Sequence, residues 1–395
     1  MDAKRRDKNG VLLRDGESQR SDGKYQFRFT DITGERRTVY ANTLDDLRKK
    51  EKKIQKVVDD RLNYGEGVCN VLDLVKRYLG TKQGVRYNTQ VGYNFVTNLL
   101  EKEDFCYRKI ADIRVSDAKL WFIKMHNDGK GYSTLTSIKG VVRPAFEMAV
   151  EEDILRKNPF TFGLTKVVPN DSQKRIALDE TQLELWMNFL RNDKHYSKYY
   201  DEFVVLLGTG MRISEFCGLT KQDLDFENRK IRVERQLIRD RHDNYLIEDT
   251  KTECGRRFIP MTDEVFIALK NIVNKRPKVK VEYIISGFSG FLTLDKERKP
   301  KVALHYEKYC QWGMYKYRKL FPDQPLPVIT PHVFRHTFCT NMANAGMDPK
   351  ALQYVMGHAD IGVTMNVYTH ARYDHAANQM LQITRKPGNV ENTAI

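Results

Sequence analysis

Apolar and polar residues alternate in short runs within the first forty positions. The runs "GVLLRDGESQR", "GKYQFRFTD" and "GERRTVYAN" are short, strand-like and separated by Asp/Gly turns. In the second run Tyr25, Phe27 and Phe29 point one way and Gln26 and Arg28 the other. In the third, Arg36, Thr38 and Tyr40 share a side, opposite Arg37 and Val39. A charged helical stretch follows, "TLDDLRKKEKKIQKVVDDRL". The pattern predicts a small three-stranded sheet with one helix packed on its apolar face, ending near Gly65–Gly67. The other face carries Arg28, Arg36 and Tyr40, and reads either as a solvated surface or as one suited to entering a DNA groove.

From about Val68 the period changes to three and four residues. "VLDLVKRYL", "YNFVTNLLEKEDF", "SDAKLWFIKMHND" and "STLTSIKGVVRPAFEMAVEEDI" predict a compact helical domain, with Ser116 and Ser133 as N-caps. Lys82, Arg86, Lys109, Arg114, Lys130 and Lys139 are expected in basic loops between those helices. The polar, aperiodic "KVVPNDSQKR" reads as a linker. A helix capped by Asp179 then opens a third region, with a strand-rich patch, "RKIRVERQLIRD … YLIEDTKTECGRRFIPM", and several closing helices. The expected boundaries are 1–66, 67–165, a linker at 166–175, and 176–395. The fold class is multidomain α+β: a sheet-plus-helix domain, an all-α domain, and a mainly α domain with a small antiparallel sheet.

A formal charge of +15 raises the prior for a polyanionic partner, because each phosphate neutralised releases a counterion. No apolar run reaches the length of a membrane span, and "MDAKRRDKNG" offers no signal-peptide core, so an intracellular protein is expected. The six cysteines are scattered without CxxC spacing, which argues for free thiols rather than a disulfide framework or zinc knuckle.

In "LLGTGMRISEFCGLT", Gly208 and Gly210 allow a sharp turn beside Arg212, and Glu215 lies at a helical spacing suited to orienting the guanidinium. A surface ion pair is the plainer reading. Lys251 lies between two strand-like runs, at a turn that either projects the ammonium or merely solvates it. In "PHVFRH", Thr330 and Pro331 start a helix that places His332, Arg335, His336 and Cys339 on one stripe. His358 follows a helix-ending Gly357, and Tyr368 lies on a last helical segment.

Two histidines four apart resemble half of a zinc site. A zincin helix, however, carries Glu after its first histidine, where this chain has Val333, and Arg335 would set a fixed cation beside the metal. No metal or other cofactor is expected. An anion suits the residues better. Arg212 and Arg335 are planar bidentate donors, His332 and His358 can donate hydrogen bonds or move protons, and Lys251 can protonate a leaving oxygen. Tyr368 can attack once its proton is removed.

The segments "GMRISEF", "TKTECGRRFIP", "TPHVFRHTFCTNMANAGMD" and "VMGHADIGVTMNVYTHA" closely resemble the motif series of tyrosine recombinases, the lambda-type integrases. The likeness extends upstream, and the architecture is most similar to integrases of conjugative transposons. The resemblance implies an arm-type DNA-binding domain, a helical core-binding domain and a catalytic domain with a C-terminal tail. It implies a site-specific recombinase that integrates and excises a mobile element without metal or ATP, through a 3′-phosphotyrosine intermediate and a Holliday junction. Tyr368 matches the nucleophile. Arg212 and Arg335 match the pair on the non-bridging oxygens, and Lys251 the lysine at the departing 5′-oxygen. His332 matches the acid/base position and His358 the second histidine.

Implied partners are double-stranded DNA at core and arm sites, three further copies of the chain on paired sites, and an excisionase or DNA-bending accessory protein. The implied place is the bacterial cytoplasm. Tyr373 is the rival nucleophile, disfavoured by its spacing from His358; the tail after Tyr368 is expected to dock on a neighbouring subunit; His336 has no role beyond packing or support. The alternatives are a DNA-binding regulator that keeps the fold and a type IB topoisomerase-like enzyme.

Overall fold

The computed structural model describes residues 5–30, 36–59, 69–172, 177–250, 253–368 and 380. It divides into two compact units, Met1–Gln173 and Lys174–Ile395.

The first unit opens with an antiparallel sheet of β1 (Glu17–Gln19), β2 (Tyr25–Thr30) and β3 (Arg36–Ala41), in the order β1-β2-β3. The register pairs Phe27 with Val39 and Tyr25 with Ala41, so the apolar residues of both strands share one face. That face meets α1 (Leu44–Asp59), whose Leu44 and Leu47 pack against Tyr25, Phe27, Val39 and Ala41. The opposite face gathers Gln26, Arg28, Thr38, Tyr40 and Arg36, because Gln26 pairs with Tyr40, Arg28 with Thr38 and Thr30 with Arg36. The Arg20 guanidinium sits 5.3 Å from the centroid of the exposed Tyr40 ring. The boundary expected near Gly65–Gly67 lies outside the described residues.

Helices α2 (Val71–Gly80), α3 (Tyr87–Leu100), α4 (Val115–Asn127) and α5 (Tyr132–Glu151) pack around a separate core. Trp121, at its centre, stacks on Phe105 at 4.5 Å and meets Phe160 edge-on. Ser116 and Ser133 are not the caps. Helix α4 starts one residue earlier, and its Asp117 carboxylate accepts from the Arg114 amide at 2.9 Å. Gly131 precedes α5, where Asp171 accepts from the Tyr132 amide at 2.8 Å. In both cases a carboxylate outcompetes the hydroxyl for the first free amides.

Lys139 lies inside α5 rather than in a loop. Its ammonium donates to the Phe162 carbonyl, and burial lowers its pKa. The stretch expected as a linker from 166 starts as part of this core, since Leu164 and Val168 are buried in it. Asp171, through its bond to Tyr132, extends the attachment.

The second unit carries α6 (Glu180–Asn192), α7 (Tyr200–Thr209) and α8 (Ile213–Cys217), then two small antiparallel sheets rather than one. β4 (Leu224–Asp225), β5 (Lys230–Val233) and β8 (Arg257–Pro260) form the first; β6 (Arg235–Arg239) and β7 (Tyr245–Asp249) form a separate hairpin. Helices α9 (Asp263–Lys275), α10 (Ala303–Leu320), α11 (Pro331–Asn344), α12 (Pro349–Met356) and α13 (Ile361–Tyr368) complete it. Asp179 caps α6 as expected, accepting from the Gln182 amide at 2.8 Å. Thr330 does precede α11, but its hydroxyl caps nothing; Pro331, with its fixed φ, starts the helix. All six cysteines are free. No described helix is long and apolar enough to cross a membrane.

Candidate active site

Two helix ends shape the site. Helix α7 stops at Gly210 and α12 at Gly357, both left-handed, at φ 60° and 62°. A Cβ on Gly210 would lie 2.3 Å from a Phe338 ring carbon, and one on Gly357 3.0 Å from Nη1 of Arg257, so glycine is required twice over. The carbonyls at these two ends hold the arginines. Arg335 of α11 donates to Gly210 at 2.7 Å and to Met356 at 2.6 Å, and Arg212 donates to Gly357 at 3.1 Å.

Glu215 is the counter-ion, at 2% exposure. It accepts from the Arg212 side chain at 2.6 Å and backbone at 3.0 Å, and from Arg257 at 2.9 Å. Burial alone would raise its carboxyl, but Arg257, Arg212 and Arg335 outweigh that and hold it below the ordinary carboxylate range. Three guanidiniums therefore surround one buried carboxylate; Asp360 also lines the cavity they open on, and against both acids the three arginines keep a net positive charge. Burial first, then repulsion from Arg212, pushes the Arg335 guanidinium down to about 9, so it is still charged at neutral pH.

These groups open on a cavity of about 370 Å³ lined by Arg212, His332, Arg335, His336 and His358, among others. Burial, then Arg335, Arg212 and Arg257, depresses His358 to about 4, so its imidazole is neutral at pH 7. Its Nδ1 lies 2.9 Å from the Thr364 hydroxyl, which fixes the ring. His332 is exposed at the mouth and meets the half-buried His336 edge-on at 4.7 Å. His336 thus buttresses His332 and adds to the depression of His358. Among the described residues no three His, Cys, Asp or Glu side chains group as metal ligands.

Four of the six residues expected in the site are thus together. Tyr368, at the end of α13, is adjacent but turned aside: its hydroxyl donates to the Met347 carbonyl at 2.5 Å, while the neighbouring Val367 lines the cavity. Burial raises the phenol pKa, so it rests protonated. Lys251 and Tyr373 lie outside the described residues. Sequence reasoning missed Arg257. Strand β8 alternates buried and exposed from Arg257 onward, and an arginine on the inward face of a strand demands a buried partner.

Residues 177–375 match the phage integrase family, and residues 1–58 match the DNA-binding domain of the Tn916 integrase. This chain belongs to the phage integrase family. As an integrase it is a site-specific recombinase of the tyrosine class. It is 41% identical, over 98% of both chains, to the transposase from transposon Tn916 of Enterococcus faecalis. The same identity and coverage relate it to the transposase from Tn1545 of Streptococcus pneumoniae. Its structure is similar to that of the Tn1549 transposon integrase in complex with a circular intermediate DNA. That likeness has a TM-score of 0.76 at 40% identity and covers 80% of this chain and 99% of the other. A lambda integrase dimer, at 13% identity and TM-score 0.53, shares the fold.

Proposed function

We propose that this integrase binds double-stranded DNA and moves a mobile element in and out of it through a 3′-phosphotyrosyl intermediate at Tyr368. The observation that carries the reading is the unbalanced cavity: three guanidiniums around Glu215 hold an excess charge that a phosphodiester would neutralise. Arg212 and Arg335 grip the non-bridging oxygens. Neutral His358 donates a hydrogen bond to the same phosphate.

The attack requires Tyr368 to leave the Met347 carbonyl and turn toward the cavity. As its oxygen bonds phosphorus, the phenol proton passes to His332 at the mouth, and the P–O5′ bond breaks. Lys251 protonates the departing 5′-oxygen. The reverse step, with a different 5′-hydroxyl, restores a phosphodiester and frees the tyrosine. One phosphoester bond is traded for another at each step, so no nucleotide is consumed. The fixed charges supply the electrostatic stabilisation that a divalent cation provides in other phosphoryl-transfer sites.

The sheet face with Arg28, Arg36 and Tyr40 serves as the arm-site reader of a domain over 1–66. Residues from 67 through the buried Val168 form the core-binding domain, the remainder of the stretch to 175 connects it, and 176–395 catalyse. The relatives' association with transposon ends and circular intermediates supports DNA as substrate. A tetramer on two paired sites, exchanging strands through a Holliday junction, completes the reaction in the bacterial cytoplasm. An excisionase or DNA-bending protein sets its direction. Product analysis on DNA carrying two sites tests this: exchanged flanks are expected. Relaxation of supercoils without exchange would indicate a topoisomerase, and binding without cleavage a regulator.

A further inference from the structure

A second cleft, of about 790 Å³, shares His332 with the catalytic cavity. One wall is a face of α10, where Gln311, Trp312, Tyr315 and Arg318 follow helical spacing; Val328 and Glu307 also line the cleft. Trp312 is 61% and Tyr315 66% exposed, with the two rings edge-on at 6.3 Å. Scattered exposed apolar residues need no explanation, but a contiguous aromatic pair opening beside a reactive centre does. Of the charged residues on this helix, Arg318 and Glu307 line the cleft itself, while Lys308 and Lys319 are exposed elsewhere on the helix and Lys316 is taken by Asp193.

We propose that this cleft holds the nucleotide next to the phosphate being cut, with Trp312 and Tyr315 packing on its sugar and the exposed edge of its base and Gln311 and Arg318 donating to its polar atoms. This rests on the recombinase reading. A strand gripped at one phosphate by Arg212 and Arg335 must place its neighbouring nucleotide within one residue's reach, and His332 is the wall common to both spaces. Aromatic surface for a sugar, with Arg318 and Gln311 as donors to phosphate and base edges, is chemistry that suits a nucleotide of a duplex. Trp312 and Tyr315 are positioning residues: they set how the scissile phosphate lies, and perform no chemistry.

The chain has three tryptophans, and Trp121 and Trp186 are buried, so acrylamide quenching of emission reports on Trp312. Duplex DNA carrying the recombination site should shield Trp312, and Trp312→Phe should remove that response. On a nicked suicide duplex, Trp312→Ala should form covalent adduct about ten- to a hundredfold more slowly, the range expected for a lost aromatic contact. Trp312→Phe should recover most of the rate, which a purely structural role would not require of so exposed a residue. Unchanged quenching with DNA, or a wild-type rate for Trp312→Ala, would overturn the proposal. So would shielding that follows self-association without DNA, which would give the cleft to a second copy. If the parent chain forms no adduct at all, the recombinase reading fails, and shielding of Trp312 by DNA still reports on the cleft.

Discussion

Glu202 and Glu215 are both buried carboxylates of the second unit, and their surroundings teach different lessons. Around Glu202, Lys301 donates at 2.8 and 3.0 Å and the Tyr306 hydroxyl at 2.6 Å. The ammonium also lies 4.6 Å from the centroid of the Tyr199 ring. One anion meets one cation, both are buried, and every oxygen is used. Around Glu215 one anion faces Arg212, Arg257 and Arg335, and the surplus opens on a cavity. The first cluster is closed and balanced, which suits a packed core. The second is charged beyond what its own carboxylate can neutralise, which suits a bound anion.

The largest effect that would sharpen this contrast is on chemistry. Arg335→Met should slow DNA cleavage about a thousandfold, as loss of an oxyanion donor does. Its stability should change by no more than about 2 kcal/mol, since relief of repulsion from Arg212 and Arg257 offsets the lost bonds to the Gly210 and Met356 carbonyls. Single-turnover cleavage and urea unfolding read the two quantities. Lys301→Met should do the reverse, costing about 3–5 kcal/mol by leaving Glu202 buried and unpaired, with an unchanged cleavage rate per folded molecule. If both variants lose activity and stability in parallel, the distinction between the clusters is wrong.

A smaller effect is expected from inorganic pyrophosphate. It should raise the melting temperature of the parent chain and of Lys301→Met, by about 1–3 kcal/mol of stabilisation at saturating concentrations, and leave Arg335→Met unmoved. A pH effect of similar size is also expected. The His358 pKa is lower folded than unfolded, so the unfolded chain binds the extra proton between the ordinary value and about 4. Stability contributed by the neutral ring is therefore complete above the ordinary histidine range and lost as pH falls toward 4. His358→Gln should flatten that part of the pH profile in thermal melts.

How much of this is legible in the sequence depends on how local the cause is. The Arg212–Glu215 pair is separated by one helical turn, and both helix-ending glycines announce themselves by position. The sheet register of β2 and β3 follows from alternation alone. Lys301 and Glu202 are joined only by tertiary packing, and nothing in either segment points to the other. Arg257 was within reach, since it alternates with Ile259 on the inward side of β8, yet its carboxylate partner is likewise set by the fold. The caps at Ser116 and Ser133 failed because carboxylates, one of them from a distant turn, reached the helix ends first. Likewise no local pattern reveals that Tyr368 rests on the Met347 carbonyl, which follows from how α13 packs.

The central claim is that the surplus of positive charge around Glu215 holds a DNA phosphate for attack by Tyr368. The most direct measurement is covalent trapping on end-labelled suicide DNA with the parent chain, Tyr368→Phe and Tyr373→Phe. A protease-sensitive, 3′-linked adduct in the parent and in Tyr373→Phe, and none in Tyr368→Phe despite intact DNA binding, is the predicted result. An adduct that persists in Tyr368→Phe, or vanishes only in Tyr373→Phe, would contradict it.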